Sequence, residues 1–310
     1  MIVLSLFDGM SCGRLALQKA GIPIKRYYAS EIDKYVIKVA KANFSDTIHV
    51  GDVSELIWYD KHLHKHLQPD IDLLIGGSPC QGFSFSGQRL NFDDPRSKLF
   101  FEFVRLMDET KPRWFLLENV CMKKESKDII SRYMGVEPVM INSNLVSAQN
   151  RKRLYWTNIP FTMPEDRGIM LKDIIEDGLT DRDKAHCLDA NYFKGGNLSA
   201  LKNYFEKSRR QSVFNQEVLI VQRPRGQNKF GYRALDGKVP TLSSNAWEQN
   251  NFLVNPETLK WRKLTPLECE RLQTIPEGYT AHVSNTQRYK MLGNGWTVDV
   301  VAHIFKGLKE

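Results

Sequence analysis

The sequence lacks any apolar run long enough to cross a membrane. Stretches such as LLIGG and WFLL are far shorter than the roughly 20 residues that a transmembrane helix needs. Met1 leads straight into IVLSLF without the basic residues of a secretion signal. We therefore expect no membrane partner and a cytoplasmic location.

Paired cysteines are also missing. The five cysteines are an odd number without a Cys-x-x-Cys spacing, so they fit neither a disulfide framework nor a zinc site. In HLHKH, His62 and His66 stand four residues apart, a spacing that could bind a metal on a helix. Because no cysteine or carboxylate cluster accompanies them, we interpret this segment as a solvated helix end and expect no metal.

What is present is a basic, globular composition. The chain has 310 residues, 42% of them hydrophobic, which is enough for one large core and a smaller second one. Lysine and arginine number 44 against 36 aspartates and glutamates, a net charge of +8. That excess is typical of a protein with a polyanionic partner, but many basic proteins have none, so composition alone leaves both open.

Strands and helices alternate through the first half of the chain. The hydrophobic pattern predicts, in order, IVLSLF, GRLALQKAG, RYYAS, KYVIKVAKANF, TIHV, DLLIG, LFFEFVRLMDET and WFLLE, of which the second, fourth and seventh are helices. This alternation predicts an α/β fold, a mostly parallel sheet with helices on both faces. In such sheets ligands bind beyond the carboxyl ends of the strands.

Polar residues follow the carboxyl end of every predicted strand. In chain order they are Phe7-Asp8-Gly9, Glu31, Asp52, Ser78-Pro79-Cys80 and Glu118-Asn119. Gly9 and Gly13 would permit close backbone approach, and Glu31 and Asp52 could accept hydrogen bonds from ribose hydroxyls and an adenine amino group. DGMSCG is not the GxGxxG fingerprint, so without the two acids a structural turn would be the better interpretation. Carboxylates facing the ligand suit a cationic cofactor such as S-adenosylmethionine.

Cys80 differs from the other cysteines in its surroundings. Pro79 fixes the backbone that enters it, whereas Gly82 and Ser84 leave the segment after it free to move. We interpret Cys80 as a nucleophile beside a mobile lid. No histidine lies near it in the sequence, so the substrate must be activated by other means, and Glu118 could do so as a general acid. The remaining cysteines are expected to be small core hydrophobes: Cys12, Cys121, Cys187 and Cys269.

Seven segments stand in a fixed order along the chain: SLFDGMSCG, GDV, GGSPCQGFS, RSKLFFEFVRLM, LLENV, QNRKRLYW and MLGNGW. In this order they resemble the motifs of the C5-cytosine DNA methyltransferases. They span nearly the whole chain, and GGSPCQ, ENV and QxRxR at this spacing form a highly specific combination. SLFDG, the serine before Pro-Cys and the tryptophan of GNGW are similar to the eukaryotic de novo enzymes, whereas the compact length resembles bacterial or phage enzymes.

The resemblance implies a Rossmann-like fold that uses S-adenosylmethionine to methylate C5 of a flipped cytosine in a specific double-stranded DNA sequence. Cys80 would attack C6, and Glu118 would hold N3 and the exocyclic amine. Arg151 and Arg153 would contact the base carbonyl and a nearby phosphate. Without the motif order, this arginine pair would be interpreted as solvated surface charges. Flipping is required because C6 is out of reach inside a stacked duplex.

The same resemblance assigns two further sets of residues. The cofactor set is Phe7, Asp8, Gly9, Gly13, Glu31, Ile32, Asp52, Val53, Pro79, Leu99 and Asn294. The substrate set is Ser78, Gln81, Ser84, Asn119 and Gln149. The segment 81–98 would close over the extruded base, although Phe83 and Phe85 fit a core position equally well.

The second half of the chain breaks the alternation. Between Lys202 and Arg233, eight lysines and arginines stand against two glutamates, a local net charge of +6. A charge run is usually a solvated face, but the aromatic residues interleaved here favour nucleic-acid contact. The resemblance makes residues 164–262 a small target-recognition domain, and residues 1–163 with 263–310 a discontinuous catalytic domain, with DNA in the cleft between them.

Two other functions stay open. One is an RNA cytosine methyltransferase of the same fold, which the distinct basic segment disfavours. The other is a catalytically silent DNA-binding protein, which the intact Pro79, Cys80, Glu118, Arg151 and Arg153 disfavour. Family precedent implies a monomer in a bacterial or phage-infected cell, with a cognate restriction endonuclease as a further candidate partner.

Overall fold

The computed structural model describes residues 1–60, 65–66, 69–78, 95–180, 182–194, 210–214, 218–221, 252–254 and 261–309. Its strands are β1 Ile2–Leu6, β2 Arg26–Ser30, β3 Ile48–Gly51, β4 Tyr59–Asp60, β5 Lys65–His66, β6 Leu73–Gly76, β7 Trp114–Val120, β8 Val139–Asn142, β9 Lys152–Thr157, β10 Ser212–Phe214, β11 Val218–Val221, β12 Phe252–Val254 and β13 Trp261–Lys263. Its α-helices are α1 Cys12–Lys19, α2 Lys34–Asn43, α3 Pro95–Thr110, α4 Lys124–Met134, α5 Pro266–Leu272, α6 Asn285–Asn294 and α7 Val298–Phe305.

One seven-stranded sheet organises these elements, in the order β3-β2-β1-β6-β7-β9-β8. Strands β3, β2, β1, β6 and β7 pair in parallel, and β9 runs antiparallel to both of its neighbours. The chain leaves β1 toward β2 on one side, while β6 pairs on the other. This reversal of strand order opens a crevice at the carboxyl ends of β1 and β6, where doubly wound sheets bind ligands. The prediction of an α/β fold with a mostly parallel sheet is confirmed.

Alternate residues of each central strand enter different cores. Val3 of β1 and Leu73 of β6 belong to the cluster that α1 and α7 cover, whereas Leu4 and Leu74 belong to the cluster that α3 covers. This is the period of two expected for strands buried on both faces. The C-terminal helix α7 therefore packs on the same sheet to which β1, at the start of the chain, belongs.

The smaller strands pair outside the main sheet. β10 pairs with β13, and β11 with β12, both antiparallel. β4 and β5 also form an antiparallel pair, in which Tyr59 is opposite His66. The helix predicted for HLHKH is therefore wrong at its described end, because backbone pairing with β4 holds residues 65–66 extended. None of the helices in the described parts of the chain is long and apolar enough to cross a bilayer.

Candidate active site

A cavity of about 510 Å³ lies at the crevice between β1, β6 and β7. Of the residues predicted from sequence, its wall contains Phe7, Asp8, Gly9, Glu31, Ser78, Glu118, Asn119, Arg151, Arg153 and Asn294. They come from the ends of five strands, β1, β2, β6, β7 and β9, and from the carboxyl end of α6. The fold therefore gathers into one cavity the polar residues that are spread over most of the sequence.

Glu118 lies near the end of β7 and is only 8% exposed. Its Oε1 is 2.9 Å from Nε of Arg153, and its Oε2 accepts a hydrogen bond of 3.1 Å from the indole N–H of Trp296. A buried carboxylate needs such partners, since an unpaired charge there would be costly. The two donors fix both oxygens of Glu118 at the cavity wall.

Asn119, the next residue of β7, is buried and fixes the end of β6. Its side-chain amide donates to the hydroxyl of Ser78 at 3.1 Å and to the Ser78 carbonyl at 3.4 Å. Ser78 therefore reaches the cavity wall in a fixed position. The residues that follow it, including the predicted Pro79, Cys80, Gln81 and Ser84, lie outside the described residues.

Arg151 and Arg153 have different surroundings although only one residue separates them. Arg151 is buried, and its guanidinium donates to the carbonyls of Leu188, Gly293 and Gly295. Burial and the nearby charge of Arg153 lower the pKa of Arg151. For Arg153, burial has the largest effect and would lower the pKa, but Glu118, Cys187 and Tyr155 together outweigh it and the pKa rises. Arg151 thus ties three chain segments together, whereas Arg153 is aimed at Glu118.

The opposite side of the cavity is acidic. Gly9, with a φ of +59° that favours glycine, donates its N–H to Oε2 of Glu31 at 2.9 Å. The Oε1 of Glu31 accepts from the backbone N–H groups of Ile32 and Asp33. Burial raises the pKa of Asp8 to about 6, although Ser11 and Tyr27 donate hydrogen bonds to it. These carboxylates give this side of the cavity a chemistry that fits a cationic ligand.

Several predicted residues do not contribute to the described cavity wall. Ile32 is 73% exposed beside it. Asp52 accepts hydrogen bonds from Ser54, and Val53 is buried in the core. The others are Gly13, Leu99 and Gln149. Their predicted roles stay predictions.

Gly13 and Gln149 have structural surroundings instead. A Cβ on Gly13 would collide with Ile75, so this glycine lets α1 approach β6 closely. Gln149 is buried, and its amide donates to the Leu272 carbonyl and to the side chain of Gln273. It joins the chain before β9 to the end of α5.

Among the wall residues that the sequence analysis does not assign to the site, two contact its predicted residues directly. Trp296 belongs to the MLGNGW motif, but nothing in that motif indicates its hydrogen bond to Glu118. Cys187 was expected to be a small core hydrophobe; instead it is half-buried on the wall, with its sulfur 3.3 Å from Nη1 of Arg151. Cys12 and Cys269 are buried as expected, and burial raises the pKa of both thiols, that of Cys12 to about 12.

Known proteins resemble this chain over nearly its whole length. It is 30% identical to the type II methyltransferase M1.ScrFI of Lactococcus lactis subsp. cremoris, a match that covers 99% of this chain and 78% of that protein. It is 26% identical to the orphan methyltransferase M.SPRI of Bacillus phage SPR, with 99% and 97% covered. It is also 26% identical to the type II methyltransferase M.HhaI of Haemophilus parahaemolyticus, with 97% and 92% covered.

Solved structures share the fold at lower identity. A DNMT2 variant of Spodoptera frugiperda superposes with a TM-score of 0.65 at 19% identity, covering 100% of this chain and 99% of that one. A structure described as a DNA modification methyltransferase encoded within an Escherichia coli prophage gives 0.61 at 23% identity, with 100% and 98% covered. All residues from 1 to 310 match the family described as C-5 cytosine-specific DNA methylase. The chain therefore belongs to the C-5 cytosine-specific DNA methylases, and the family predicted from its motifs is confirmed.

Proposed function

We propose that this enzyme transfers a methyl group from S-adenosylmethionine to C5 of a flipped cytosine in a specific double-stranded DNA sequence, through a covalent bond between Cys80 and C6. The observation that supports this most strongly is the fixed Glu118 carboxylate on the cavity wall, beside the strand end that leads into Cys80. A silent DNA-binding protein has no need of a buried carboxylate with both oxygens held in place.

The protein's own groups would divide the chemistry as follows. The thiolate of Cys80 would form a bond to C6 while the electron pair of the C5–C6 double bond moves onto C5. Glu118, after taking up a proton from solvent, would donate that proton to N3, which accepts the electron density displaced into the ring. The charge of Arg153 holds Glu118 in place and faces the base. After C5 has gained its methyl group, a base from solvent would take up the C5 proton and N3 would return its proton to Glu118. The electrons of the C5–H bond would restore the C5–C6 double bond as the Cys80–C6 bond breaks and releases the thiolate. Each bond formed to the enzyme is thus broken again in the cycle.

The acidic side of the cavity supports the choice of cofactor. When bound, S-adenosylmethionine supplies a methyl group on a positively charged sulfur. Asp8 and Glu31 would offset that charge, and Phe7 would cover the ligand from the β1 end. Asn294 would complete the wall from α6. The wall residues present therefore fit the cofactor.

DNA contact rests on the basic segment between Lys202 and Arg233, most of which lies outside the described residues. We propose that it belongs to a target-recognition domain spanning residues 164–262, set against a catalytic domain of residues 1–163 and 263–310. If each arginine contacts one phosphate, Arg209→Ala and Arg210→Ala should each reduce by about one the slope of log K for DNA binding against log salt concentration. An unchanged slope would mean that these arginines are solvated surface residues that do not contact DNA.

Bisulfite sequencing tests the proposed activity directly. Plasmid DNA from cells that express the wild-type chain should contain cytosines protected at a defined sequence. DNA from cells expressing Cys80→Ser should contain no protected cytosines. Cys121→Ser is the control, because Cys121 does not line the described cavity, and it should protect the same sites as wild type. No protection by folded wild-type protein that binds S-adenosylmethionine would refute a DNA substrate, and transfer RNA would then be assayed.

A covalent trap tests the nucleophile separately. In DNA with 5-fluorocytosine at the target, fluorine blocks the loss of a proton from C5, so the bond to C6 persists. Wild-type protein should form a complex that survives denaturation, and Cys80→Ser should not. A trapped complex with Cys80→Ser would show that another residue attacks C6.

A further inference from the structure

On both sides of Cys187, hydrogen bonds tie its segment to the stretch of chain just before β9. Before it, the N–H of Ala185 donates to the Ala148 carbonyl at 2.7 Å, and the N–H of Asn150 donates to the Ala185 carbonyl at 2.9 Å. After it, the Leu188 carbonyl accepts a hydrogen bond of 2.9 Å from Nη1 of Arg151. The backbone therefore presents the Cys187 side chain at a fixed place on the cavity wall.

The sulfur of Cys187 faces two guanidinium groups. It is 3.3 Å from Nη1 of Arg151 and 3.9 Å from Nη2 of Arg153, and its own S–H can donate to the Leu188 carbonyl at 3.4 Å. Guanidinium groups only donate, so two of them side by side need acceptors, and a thiol sulfur is a weak one. Cys187 thus accepts from both arginines while it donates to the backbone.

The two arginines depend on this sulfur to different extents. Arg151 also donates to three backbone carbonyls, so it keeps its position without Cys187. The other described partners of Arg153 are Glu118, at its Nε, and the carbonyl of its own neighbour Lys152, at Nη1. Cys187 is the described partner that holds the far end of the guanidinium, at Nη2.

We propose that Cys187 is a positioning residue of the methyl-transfer reaction, whose sulfur orients the Arg153 guanidinium so that Nε stays on Glu118. The proposal rests on the proposed function, because it assigns Glu118 and Arg153 to the reaction. Cys187 touches neither the carboxylate nor, in this assignment, the base. Its effect on the rate passes through Arg153.

Three substitutions separate the polarity of the thiol from its volume. Cys187→Ser keeps a group that can accept and donate, although on a shorter bond. Cys187→Val keeps an apolar side chain of similar size but has no acceptor, and Cys187→Ala removes both. We expect kcat to fall about tenfold in the Val and Ala variants and less than threefold in the Ser variant. The KM for S-adenosylmethionine should stay unchanged in all three, because the cofactor side of the cavity is not altered.

The same three substitutions at Cys121 are the matched control. Cys121 is also half-buried, follows β7 directly and does not line the described cavity. They should leave kcat within twofold of wild type. Unfolding temperatures of both series separate a loss of stability from a loss of rate.

A readout that does not need activity is the NMR resonance of the Arg153 Nε–H, assigned by its disappearance in Arg153→Lys. We expect it to shift in the Val and Ala variants of Cys187, to stay near its wild-type position in the Ser variant, and not to move in the Cys121 series. If wild-type protein methylates no cytosine, the proposed function fails, while this resonance still tests the contact between Cys187 and Arg153.

Three results would overturn the proposal. The first is wild-type kcat in Cys187→Val. The second is a Ser variant as slow as the Val variant, which would point to packing alone. The third is a loss of kcat that parallels a fall in unfolding temperature and in affinity for S-adenosylmethionine, with the Arg153 resonance unmoved.

Discussion

The indole N–H of Trp296 donates a hydrogen bond of 3.1 Å to Oε2 of Glu118, although 178 residues separate the two in the sequence. Trp296 follows α6, and Glu118 lies near the end of β7. The bond therefore makes the geometry of the Glu118 carboxylate, proposed to act in catalysis, depend on the correct docking of the C-terminal helices. Arg153 completes the arrangement from β9 on the other oxygen.

Trp296→Phe tests this bond. The change keeps an aromatic ring and removes the N–H, and a hydrogen bond to a charged group contributes about 1.5–3 kcal/mol. We expect kcat to fall by roughly 10- to 100-fold with little change in the KM for S-adenosylmethionine. Trp58→Phe is the control, since it also loses an indole hydrogen bond, to the Pro69 carbonyl, at a buried place away from the cavity. Equal kcat losses in both variants would argue against a specific role for Trp296.

Gly77→Ala would crowd the side chains of Trp296 and Glu118. A Cβ there would lie 3.0 Å from Nε1 of Trp296 and 3.1 Å from Oε2 of Glu118, so these side chains would have to move by a few tenths of an ångström. We expect kcat to fall about tenfold while the protein stays folded, as measured by steady-state kinetics and thermal unfolding.

Gly76→Ala is the matched control for Gly77. Its Cβ would be equally close to neighbours, but these are the Leu6 carbonyl and the Phe103 ring, which belong to the core. Overpacking of this kind costs about 1–3 kcal/mol of stability. Gly76→Ala should therefore lower the unfolding temperature and leave kcat of the folded fraction near wild type. The reverse pattern in the two variants would contradict the assignment.

The strand ends could be predicted from the sequence because their signals are local. Apolar runs such as LLIG mark buried strands, and parallel strands bring their carboxyl ends to one edge of the sheet. That rule predicts Glu31, Ser78 and Glu118 at one edge of the sheet, and all three line the cavity. The same rule predicts Asp52 at this edge; its side chain accepts a hydrogen bond from the Ser54 N–H and does not line the described cavity, so its role stays a prediction.

The contacts of the site could not be predicted, because they join segments that are distant in the sequence. The bond from Trp296 to Glu118 and the contact between Cys187 and Arg153 depend on how α6 and the segment before Leu188 pack on the sheet. The sequence also indicates that Arg151 carries guanidinium N–H groups that can donate hydrogen bonds. It cannot indicate that carbonyls of Leu188, Gly293 and Gly295 already accept them.

The two predicted cofactor acids should differ in their effect on affinity. Glu31 lies on the cavity wall. Asp52 does not line the described wall, and its carboxylate accepts a hydrogen bond from the Ser54 hydroxyl. Glu31→Gln should weaken S-adenosylmethionine binding at least tenfold, as expected for the loss of about 1.5 kcal/mol from one charge-assisted hydrogen bond. Asp52→Asn should weaken it less than threefold. Calorimetric titration measures both, and a larger effect at Asp52 would mean that the cofactor extends toward β3.

Asp8 should make the free energy of unfolding depend on pH. Burial raises the pKa of its carboxyl from 3.8 to about 6 in the folded state, so between these values the folded protein binds more protons than the unfolded chain. Stability contributed by this group is therefore present at low pH and lost as pH rises from about 4 to about 6. At neutral pH the charged form costs on the order of 3 kcal/mol, since each pKa unit corresponds to about 1.4 kcal/mol.

The amide in Asp8→Asn cannot ionise, so the free energy of unfolding of this variant should not fall through this group as the pH rises. The difference in free energy of unfolding between Asp8→Asn and wild type should move in favour of the variant by up to about 3 kcal/mol between pH 4 and pH 7. Urea denaturation across this range measures it. Asp46→Asn is the control, because hydrogen bonding to Arg14 lowers the pKa of Asp46, so its stabilising effect is lost only as the pH falls below about 4. A flat difference for Asp8→Asn would show that Asp8 ionises as readily in the folded protein as in the unfolded chain.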